Sequence, residues 1–163
     1  MKRILFIRHA KSDWSEPFLE DVDRPLNSRG KRDAPEMGKR LNSRHIQVDI
    51  ILSSPSKRTK QTLKLISAEA GWDETERVFN EGLYLSSKSN FLEAIESVDN
   101  ALNTMAIVSH NPGTTYIVNY LSNSSISNIP TCGMALIEFD TENWKEISGG
   151  TGKLVFYDFP KNI

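Results

Sequence analysis

Residues 4–12 read Ile4-Leu5-Phe6-Ile7-Arg8-His9-Ala10-Lys11-Ser12, an apolar run that ends abruptly in a cation and an imidazole. Such a run predicts a buried strand, which would place Arg8 and His9 at the end of a sheet. Open α/β sheets bind ligands at that end of their strands. Arginine offers forked donors for phosphate or carboxylate, and histidine serves as a nucleophile or proton carrier. The pair alone is a weak signal, because both residue types also occur on ordinary surfaces.

Strand patterns alternate with helical patterns along the rest of the chain. Apolar, β-rich runs predict strands at 3–8, 49–53, 104–109, 133–139 and 153–158, with a short one at 77–80. Amphipathic spacing predicts helices at 28–43, 56–70, 88–99 and 112–122. The alternation predicts an α/β fold, a three-layer sandwich with a mostly parallel central sheet and helices on both faces. No helix separates the last two strands, so we expect an antiparallel edge hairpin around residues 149–152.

Capping residues and prolines indicate where the helices begin. Ser54-Pro55 and Asn111-Pro112 each pair a capping residue with a proline suited to the first helical position. Pro35 lies inside the 28–43 segment and could move the start of that helix to about residue 34, since proline breaks the hydrogen bonds of a helix interior.

Length and composition are those of an ordinary globular chain. The 163 residues are 38% hydrophobic and 25% charged, which predicts one domain spanning 1–163 with a substantial core. No apolar run is long enough for a membrane span or a signal peptide, and Cys132 is the only cysteine. We therefore expect a cytoplasmic protein that has no internal disulfide and does not associate with a membrane.

The net charge of −1 hides an uneven distribution. Residues 1–64 carry 15 basic and 8 acidic residues, a net of +7, whereas residues 65–163 have a net charge of −8. The basic half could focus an anionic ligand, or it could only reflect the solvated faces of two helices. Basic and acidic residues are interleaved and the isoelectric point is near 6.3, which argues against nucleic acid as a partner.

Three predicted strands end in residues suited to bind phosphate. The first ends at Arg8-His9, the second is followed by Arg58 in a helix, and the third ends at His110. Taken singly, Arg58 could be solvated and His110 structural. If the strands are parallel neighbours, however, these four side chains converge at one edge, beside two helix N-termini. Two guanidiniums, two imidazoles and two helix N-termini form a pocket suited to a dianionic phosphoryl group.

Four blocks of sequence resemble the histidine phosphatase superfamily, which has the phosphoglycerate mutase-like fold. In family order they are RHAKSDW at 8–14, DRPLNSRG at 23–30, SSPSKRTKQT at 53–62 and VSHNPG at 108–113. The short length, the Ala10-Lys11 pair and the Asp-Arg-Pro-Leu block resemble the small SixA-type phosphohistidine phosphatases. Mutases of the superfamily usually carry Gly-Glu after the histidine and more inserted chain, so the resemblance disfavours mutase activity.

The resemblance implies a role for each residue of the predicted pocket. His9 would attack phosphorus and become phosphorylated. Arg8, Arg58 and His110 would hold the phosphoryl oxygens and the charge that develops on them. A second group would add donors or positive charge for substrate binding: Lys11, Ser12 and Asn111. This chemistry needs no metal and no other cofactor, and the three histidines show no metal-ligand spacing.

The proton donor for the leaving group is left open by the sequence. Larger relatives use a carboxylate, and Glu81, after the short predicted strand, is the best candidate by position. Glu81 could equally be a surface residue, and Asp13 and Asp23 are further candidates. The SixA-type branch often lacks a clear acid. That is tolerable if the leaving group is an imidazole, which departs more easily than an alkoxide.

The sequence therefore predicts a phosphatase that acts through a phosphohistidine intermediate at His9. Its partner would be a phosphorylated protein that carries phosphohistidine, such as a phosphorelay domain. Two alternatives stay open: a phosphatase for a small phosphorylated substrate, either a phosphoester or a phosphoanhydride, and a phosphate-binding regulatory module without turnover. We expect no partnership with nucleic acid or a membrane.

Overall fold

In the computed structural model, which describes residues 1–163, six strands form one mixed sheet. The strands are β1 (Lys2–Arg8), β2 (Ile50–Ser53), β3 (Glu76–Phe79), β4 (Thr104–Ser109), β5 (Met134–Phe139) and β6 (Gly152–Asp158). Their order across the sheet is β3-β2-β4-β1-β5-β6. Only β5 runs against its neighbours, so the sheet is mostly parallel, as predicted.

Four α-helices cover the two faces of the sheet. They are α1 (Ser28–Ser43), α2 (Lys57–Ala70), α3 (Lys88–Glu96) and α4 (Gly113–Ser122). Helices α1 and α2 share a core with Leu5 and Ile7 of β1, whereas α3 and α4 share the opposite core with Ile4 and Phe6. Successive side chains of a strand point to opposite faces, so β1 supplies both cores. The predicted three-layer sandwich is confirmed. None of its helices is both long and apolar enough to cross a membrane.

The strand order determines which chain segments meet at the carboxyl edge of the sheet. Strand β4 lies between β1 and β2 and is parallel to both. Arg8 is paired with Ser109, and Ser53 with Val108, so the three strands end side by side. The segments that follow these ends begin at His9, Ser54 and His110, and they border one surface of the molecule.

Two predicted helix starts are wrong by one or two residues. Helix α2 is capped by Ser56, whose side chain accepts a hydrogen bond from the backbone of Thr59, and it begins at Lys57. Ser54, the predicted cap, instead bonds His110 across the sheet edge. Helix α4 begins at Gly113, one residue after its predicted start, and the Asn111 side chain accepts a hydrogen bond from the backbone N–H of Thr115 in the first turn.

The start of α1 agrees with the predicted segment, and two further features of the fold differ from the sequence prediction. Pro35 does not shift α1, which begins at Ser28, because Asn27 accepts a hydrogen bond from the backbone of Gly30 and stabilises the first turn. Helix α3 ends at Glu96, three residues before its predicted end. Strands β5 and β6 pair antiparallel at the sheet edge, as predicted, but a short 3-10 helix interrupts their connection, which is therefore longer than a tight glycine turn.

Candidate active site

An open cleft of about 210 Å³ lies at the carboxyl edge of β1, β2 and β4. Seven of the residues predicted for the site line it: Arg8, His9, Lys11, Ser12, Arg58, His110 and Asn111. Four further residues complete the lining: Trp14, Arg24, Leu85 and Thr131. The lining holds four basic side chains and no carboxylate. The cleft is therefore electrostatically suited to an anion.

His9 follows β1 directly and is only 7% exposed. Its Nδ1 lies 2.7 Å from the carbonyl oxygen of Ala10. A carbonyl only accepts, so Nδ1 carries the proton and Nε2 keeps a free lone pair. Burial lowers the pKa of His9 to about 3, and the bond to Ala10 opposes this only in part. The ring is therefore neutral at neutral pH and can act as a nucleophile at Nε2.

Ala10, whose carbonyl oxygen orients His9, is itself held by a hydrogen bond to α2. The backbone N–H of Ala10 donates to Oγ1 of Thr62 at 2.9 Å, and that hydroxyl donates to the backbone oxygen of Arg58 at 2.8 Å. Thr62 is fully buried. The turn after β1 and the first turns of α2 are thus joined, so the orientation of His9 and the position of Arg58 depend on the same contact.

Arg58 is 3% exposed, and both terminal nitrogens of its guanidinium are anchored. Nη1 donates to the backbone oxygen of Asp21 at 2.6 Å, and Nη2 donates to Oδ2 of Asp21 at 3.0 Å. In Arg8, Nη1 donates to the backbone oxygen of Ile129 at 2.8 Å. The Nε atoms of both arginines are buried without a partner. Buried donors without acceptors carry a cost in free energy. The Nε atoms of Arg3 and Arg29, which do not line the cleft, share this feature.

His110 is 2% exposed, and both of its ring nitrogens have protein partners. Nδ1 lies 3.2 Å from Nη2 of Arg58 and must accept, because a guanidinium only donates. Nε2 therefore carries the proton and donates to Oγ of Ser54 at 2.8 Å. Burial, followed by the charge of Arg58, lowers the pKa of His110 to about 4. In this geometry neutral His110 helps to fix Arg58, and its ring centre lies 5.2 Å from that of His9.

Arg24 is a residue of the cleft to which the sequence analysis assigned no role. It is 7% exposed, and its Nη1 donates to Oγ of Ser12 at 3.1 Å. Its guanidinium carbon lies 3.5 Å from the centre of the Trp14 ring. One sequence signal could have indicated Arg24: it lies in the block at 23–30 that resembles the family, directly after Asp23.

Asp21 is a second residue that sequence reasoning missed. Its carboxylate accepts from Nη2 of Arg24 at 2.8 Å, from Arg58, and from the hydroxyl of Tyr84. Burial would raise the pKa of Asp21, but the hydrogen bonds from Tyr84, Arg24 and Arg58 hold it well below its ordinary value. Asp21 is therefore ionised at neutral pH and acts as an anchor for guanidiniums. No local pattern marks its contacts with Arg58 and Tyr84, because these two partners lie in other segments of the chain.

Comparison with known proteins places this arrangement in a family. Residues 4–83 match the family model of the histidine phosphatase superfamily (branch 1). An uncharacterized chloroplastic protein of Arabidopsis thaliana is 30% identical over 155 residues, covering 89% of this chain and 70% of that protein. An uncharacterized protein of Mycobacterium tuberculosis is 30% identical over 165 residues, covering 95% of this chain and 100% of that protein. The chain belongs to the histidine phosphatase superfamily.

The fold of this histidine phosphatase agrees with that of a solved relative. The protein histidine phosphatase SixA complexed with tungstate superposes with a TM-score of 0.83 at 19% identity, covering 98% of each chain. At this identity the likeness shows the fold, which is the phosphoglycerate mutase-like α/β fold expected from the sequence. Membership of the superfamily supports phosphatase activity on a phosphorylated substrate.

The three carboxylates considered as proton donors do not line the cleft of this histidine phosphatase. Glu81 is exposed in a 3-10 helix, Glu81–Leu83, and Asp23 is exposed at the end of another. Oδ1 of Asp13 accepts from the backbone of Ser15 at 2.7 Å, and hydrogen bonds from Ser15 lower the pKa of Asp13. The structure thus brings the predicted cations and histidines together but leaves Glu81 outside the cleft. It also contains no group of three or more side chains arranged to hold a metal ion.

The segment after His9 is fixed by the start of α1. The backbone oxygen of Lys11 accepts from the backbone of Asn27 at 3.0 Å. A Cβ atom on Gly30 would lie 2.3 Å from that same oxygen, so only glycine allows α1 to approach so closely. Across the cleft, Nδ2 of Asn111 donates at 2.9 Å to the backbone oxygen of Ile129, the acceptor also used by Arg8. Lys11 and Asn111, two of the predicted substrate-binding residues, thus lie on segments that are held in place by hydrogen bonds.

Proposed function

We propose that this histidine phosphatase removes the phosphoryl group from phosphohistidine on a protein, through a covalent phosphohistidine at His9. The tautomer of His9 carries the proposal: Nδ1–H is held by Ala10, so the lone pair of Nε2 is free in a cleft lined by four cations. A neutral imidazole can attack phosphorus while guanidiniums hold the charge on the oxygens. The tungstate complex of the SixA protein of similar fold supports binding of a tetrahedral oxyanion.

In the first step, Nε2 of His9 forms a bond to phosphorus and the P–N bond to the substrate imidazole breaks. The bonding electron pair leaves with the substrate nitrogen, which takes up a proton from solvent. Arg8, Arg24 and Arg58 balance the charge on the three equatorial oxygens. The Nδ1–H bond to Ala10 stabilises the positive charge that the His9 ring gains on phosphorylation.

In the second step, water attacks the phosphorus of phosphorylated His9. The P–N bond breaks, its electron pair returns to Nε2, and the proton lost by water passes to solvent. Inorganic phosphate leaves, and His9 is again neutral with its proton on Nδ1. Burial lowers the pKa of His9 to about 3, so the free ring stays neutral at neutral pH and is ready for the next turnover.

The lining of the cleft supports a leaving group that needs little help from a general acid. No carboxylate lines it, and the candidates Glu81, Asp13 and Asp23 lie outside the lining. An alkoxide needs a proton from a general acid as it leaves, whereas an imidazole needs less help. The arrangement therefore favours a substrate with a P–N bond over an alkyl phosphate ester.

Labelling tests the mechanism directly. The protein is incubated with radiolabelled phosphoramidate, and acid-labile label is sought on His9 by peptide mapping. We expect label in the parent, none in His9→Ala, and a fall in turnover of at least about three orders of magnitude in that variant. His45→Asn, which changes an exposed histidine outside the cleft, is the matched control. Equal hydrolysis by His9→Ala and the parent would refute the mechanism.

Substrate preference is tested by comparing a phosphohistidine peptide with ethyl phosphate. We expect a higher kcat/KM for the peptide, because its leaving group departs without a general acid. A clear preference for the ester would instead favour a small-molecule phosphatase. Binding of inorganic phosphate without turnover of any phosphodonor would identify a regulatory module that binds phosphate and does not hydrolyse its ligand.

A further inference from the structure

Four of the large apolar side chains that are exposed lie in two segments that include lining residues of the cleft. Ten such side chains are exposed in the whole chain; Trp14 and Leu85 line the cleft, and Phe18 and Leu19 lie in the segment between Trp14 and Asp21. We call these four the apolar rim: Trp14 is 70% exposed, Phe18 97%, Leu19 41% and Leu85 61%. A group of exposed apolar side chains beside a polar cleft marks an interaction surface rather than a core.

The first segment of the apolar rim is tied to the cleft at both ends. Trp14 lines the cleft and stacks on Arg24, and Asp21 binds Arg24 and Arg58. Three residues of chain span at most about 11 Å, so Phe18 stays close to the site at which Asp21 is anchored. Phe18 is nevertheless 97% exposed, so it packs against almost nothing within the protein.

Leu85 is the only apolar rim residue in the second segment, and its backbone is strained. Its φ is 54°, in the left-handed region that a leucine rarely adopts. The side chain lines the cleft and is largely exposed, so little packing within the protein offsets the strain. It follows Tyr84, whose ring lies edge-on to His110 with ring centres 5.2 Å apart. Strain kept beside a reactive group points to a role in binding.

We infer that the apolar rim docks a folded protein that carries the phosphoryl group. The inference rests on the proposed function and adds the surface that selects its substrate. The apolar surface around the phosphorylated histidine would pack on the rim while the phosphoryl group enters the cationic cleft. A small phosphorylated molecule held by the cations would leave Phe18 without a contact, so the rim fits a partner larger than the cleft.

Charge distinguishes a protein from a lipid surface as the occupant. Besides Asp21, whose carboxylate is paired with arginines, the segment that carries Phe18 and Leu19 also carries three carboxylates, namely Glu16, Glu20 and Asp23. An anionic membrane would repel this segment, because lipid surfaces attract basic residues and exclude acidic ones. A protein surface can combine an apolar centre with a polar or basic margin. The rim therefore matches a protein.

The test compares a protein substrate with a small one. The protein probe is a phosphorelay domain phosphorylated on a single histidine, and the small probe is phosphoimidazole. In the double variant Phe18→Ser/Leu19→Ser we expect kcat/KM for the phosphorelay domain to fall at least about tenfold, which corresponds to about 1.4 kcal/mol. Hydrolysis of phosphoimidazole should be unchanged, which also shows that the variant is folded. Val155→Ser, at an exposed site on β6, should affect neither substrate.

Each other outcome counts against the inference in a different way. Equal hydrolysis of the phosphorelay domain by the double variant and the parent would overturn the docking role of the rim. A parallel loss on both substrates would also overturn it, because the effect would not depend on a protein partner. A parent that hydrolyses phosphoimidazole but not the phosphorylated domain would overturn protein docking and leave the chemistry at His9 intact. A parent that hydrolyses neither would overturn the proposed function as well.

Discussion

Asp21 and Arg58 are joined by two hydrogen bonds, from Nη1 to the backbone oxygen at 2.6 Å and from Nη2 to the carboxylate at 3.0 Å. The same carboxylate holds Arg24 at 2.8 Å, so one residue positions two of the guanidiniums that line the cleft. The Asp21 side chain is 45% exposed, but the Arg58 side chain is only 4% exposed, so loss of the carboxylate charge would leave a buried guanidinium with a weaker partner. We therefore expect an effect on both catalysis and folding.

Asp21→Asn tests this relationship while keeping the shape of the side chain. We expect kcat for phosphoimidazole to fall about 10- to 100-fold, because a hydrogen bond to a charged group contributes about 1.5–3 kcal/mol. The midpoint of thermal unfolding should also fall, by about 2–4 °C for each kcal/mol of stability lost. Steady-state kinetics and a melting curve measure the two effects. Asp23→Asn, which removes a nearby exposed carboxylate outside the cleft, is the control, and an unchanged kcat in Asp21→Asn would contradict the positioning role.

Ser54→Ala tests the contact behind His110. Removal of Oγ leaves the buried Nε2–H of His110 without its acceptor, so the proton can move to Nδ1 and face the Arg58 cation. We expect the free energy of unfolding to fall by about 1–3 kcal/mol and kcat to fall about tenfold. Nitrogen chemical shifts of the His110 ring report which atom carries the proton.

Ser56→Ala separates the effect on the site from an effect on folding alone. Ser56 caps α2, so its loss should lower the free energy of unfolding by about 0.5–2 kcal/mol. It does not bond His110, and kcat should stay at the parental value. If both serine variants lowered kcat equally, the contact between Ser54 and His110 would have no special role in catalysis.

The buried histidines predict how stability depends on pH. Burial lowers the pKa of His9 to about 3 and that of His110 to about 4. Between about pH 4 and 6.5 the unfolded chain binds protons that the folded protein excludes, so the free energy of unfolding falls as pH is lowered. From pH 7.5 to pH 5 we expect a loss of about 1–2 kcal/mol for each histidine. Urea unfolding at both pH values measures it.

His110→Gln provides the comparison for this dependence on pH. The variant keeps a polar side chain but cannot bind a proton, so it should lose about half of the decrease in stability between pH 7.5 and pH 5. The same decrease in the variant and the parent would mean that other groups cause it.

The strands and helices could be predicted because their signals are local. The apolar run of β1 and the apolar periodicity of α1 lie within single segments, and their boundaries agree within a residue. The start of α2 could not be predicted to the residue, because Ser54 and Ser56 are both good caps. The Ser54 hydroxyl instead accepts a hydrogen bond from His110, which is 56 residues away in the chain. A contact at that separation leaves no mark in the local pattern.

The sequence predicted the convergence of Arg8, His9, Arg58 and His110 on the condition that their strands are parallel neighbours, because such strands end at one edge of their sheet. The structure supplies that condition, since β4 lies between β1 and β2 and is parallel to both. The fold class and the resemblance to the histidine phosphatases followed from the same segments. Only the tertiary structure decided the tautomers of the two histidines, the anchoring of Arg58 by Asp21, and the exclusion of Glu81 from the cleft. These features depend on hydrogen-bond distances between segments far apart in the chain, and residue types and spacings do not encode such distances.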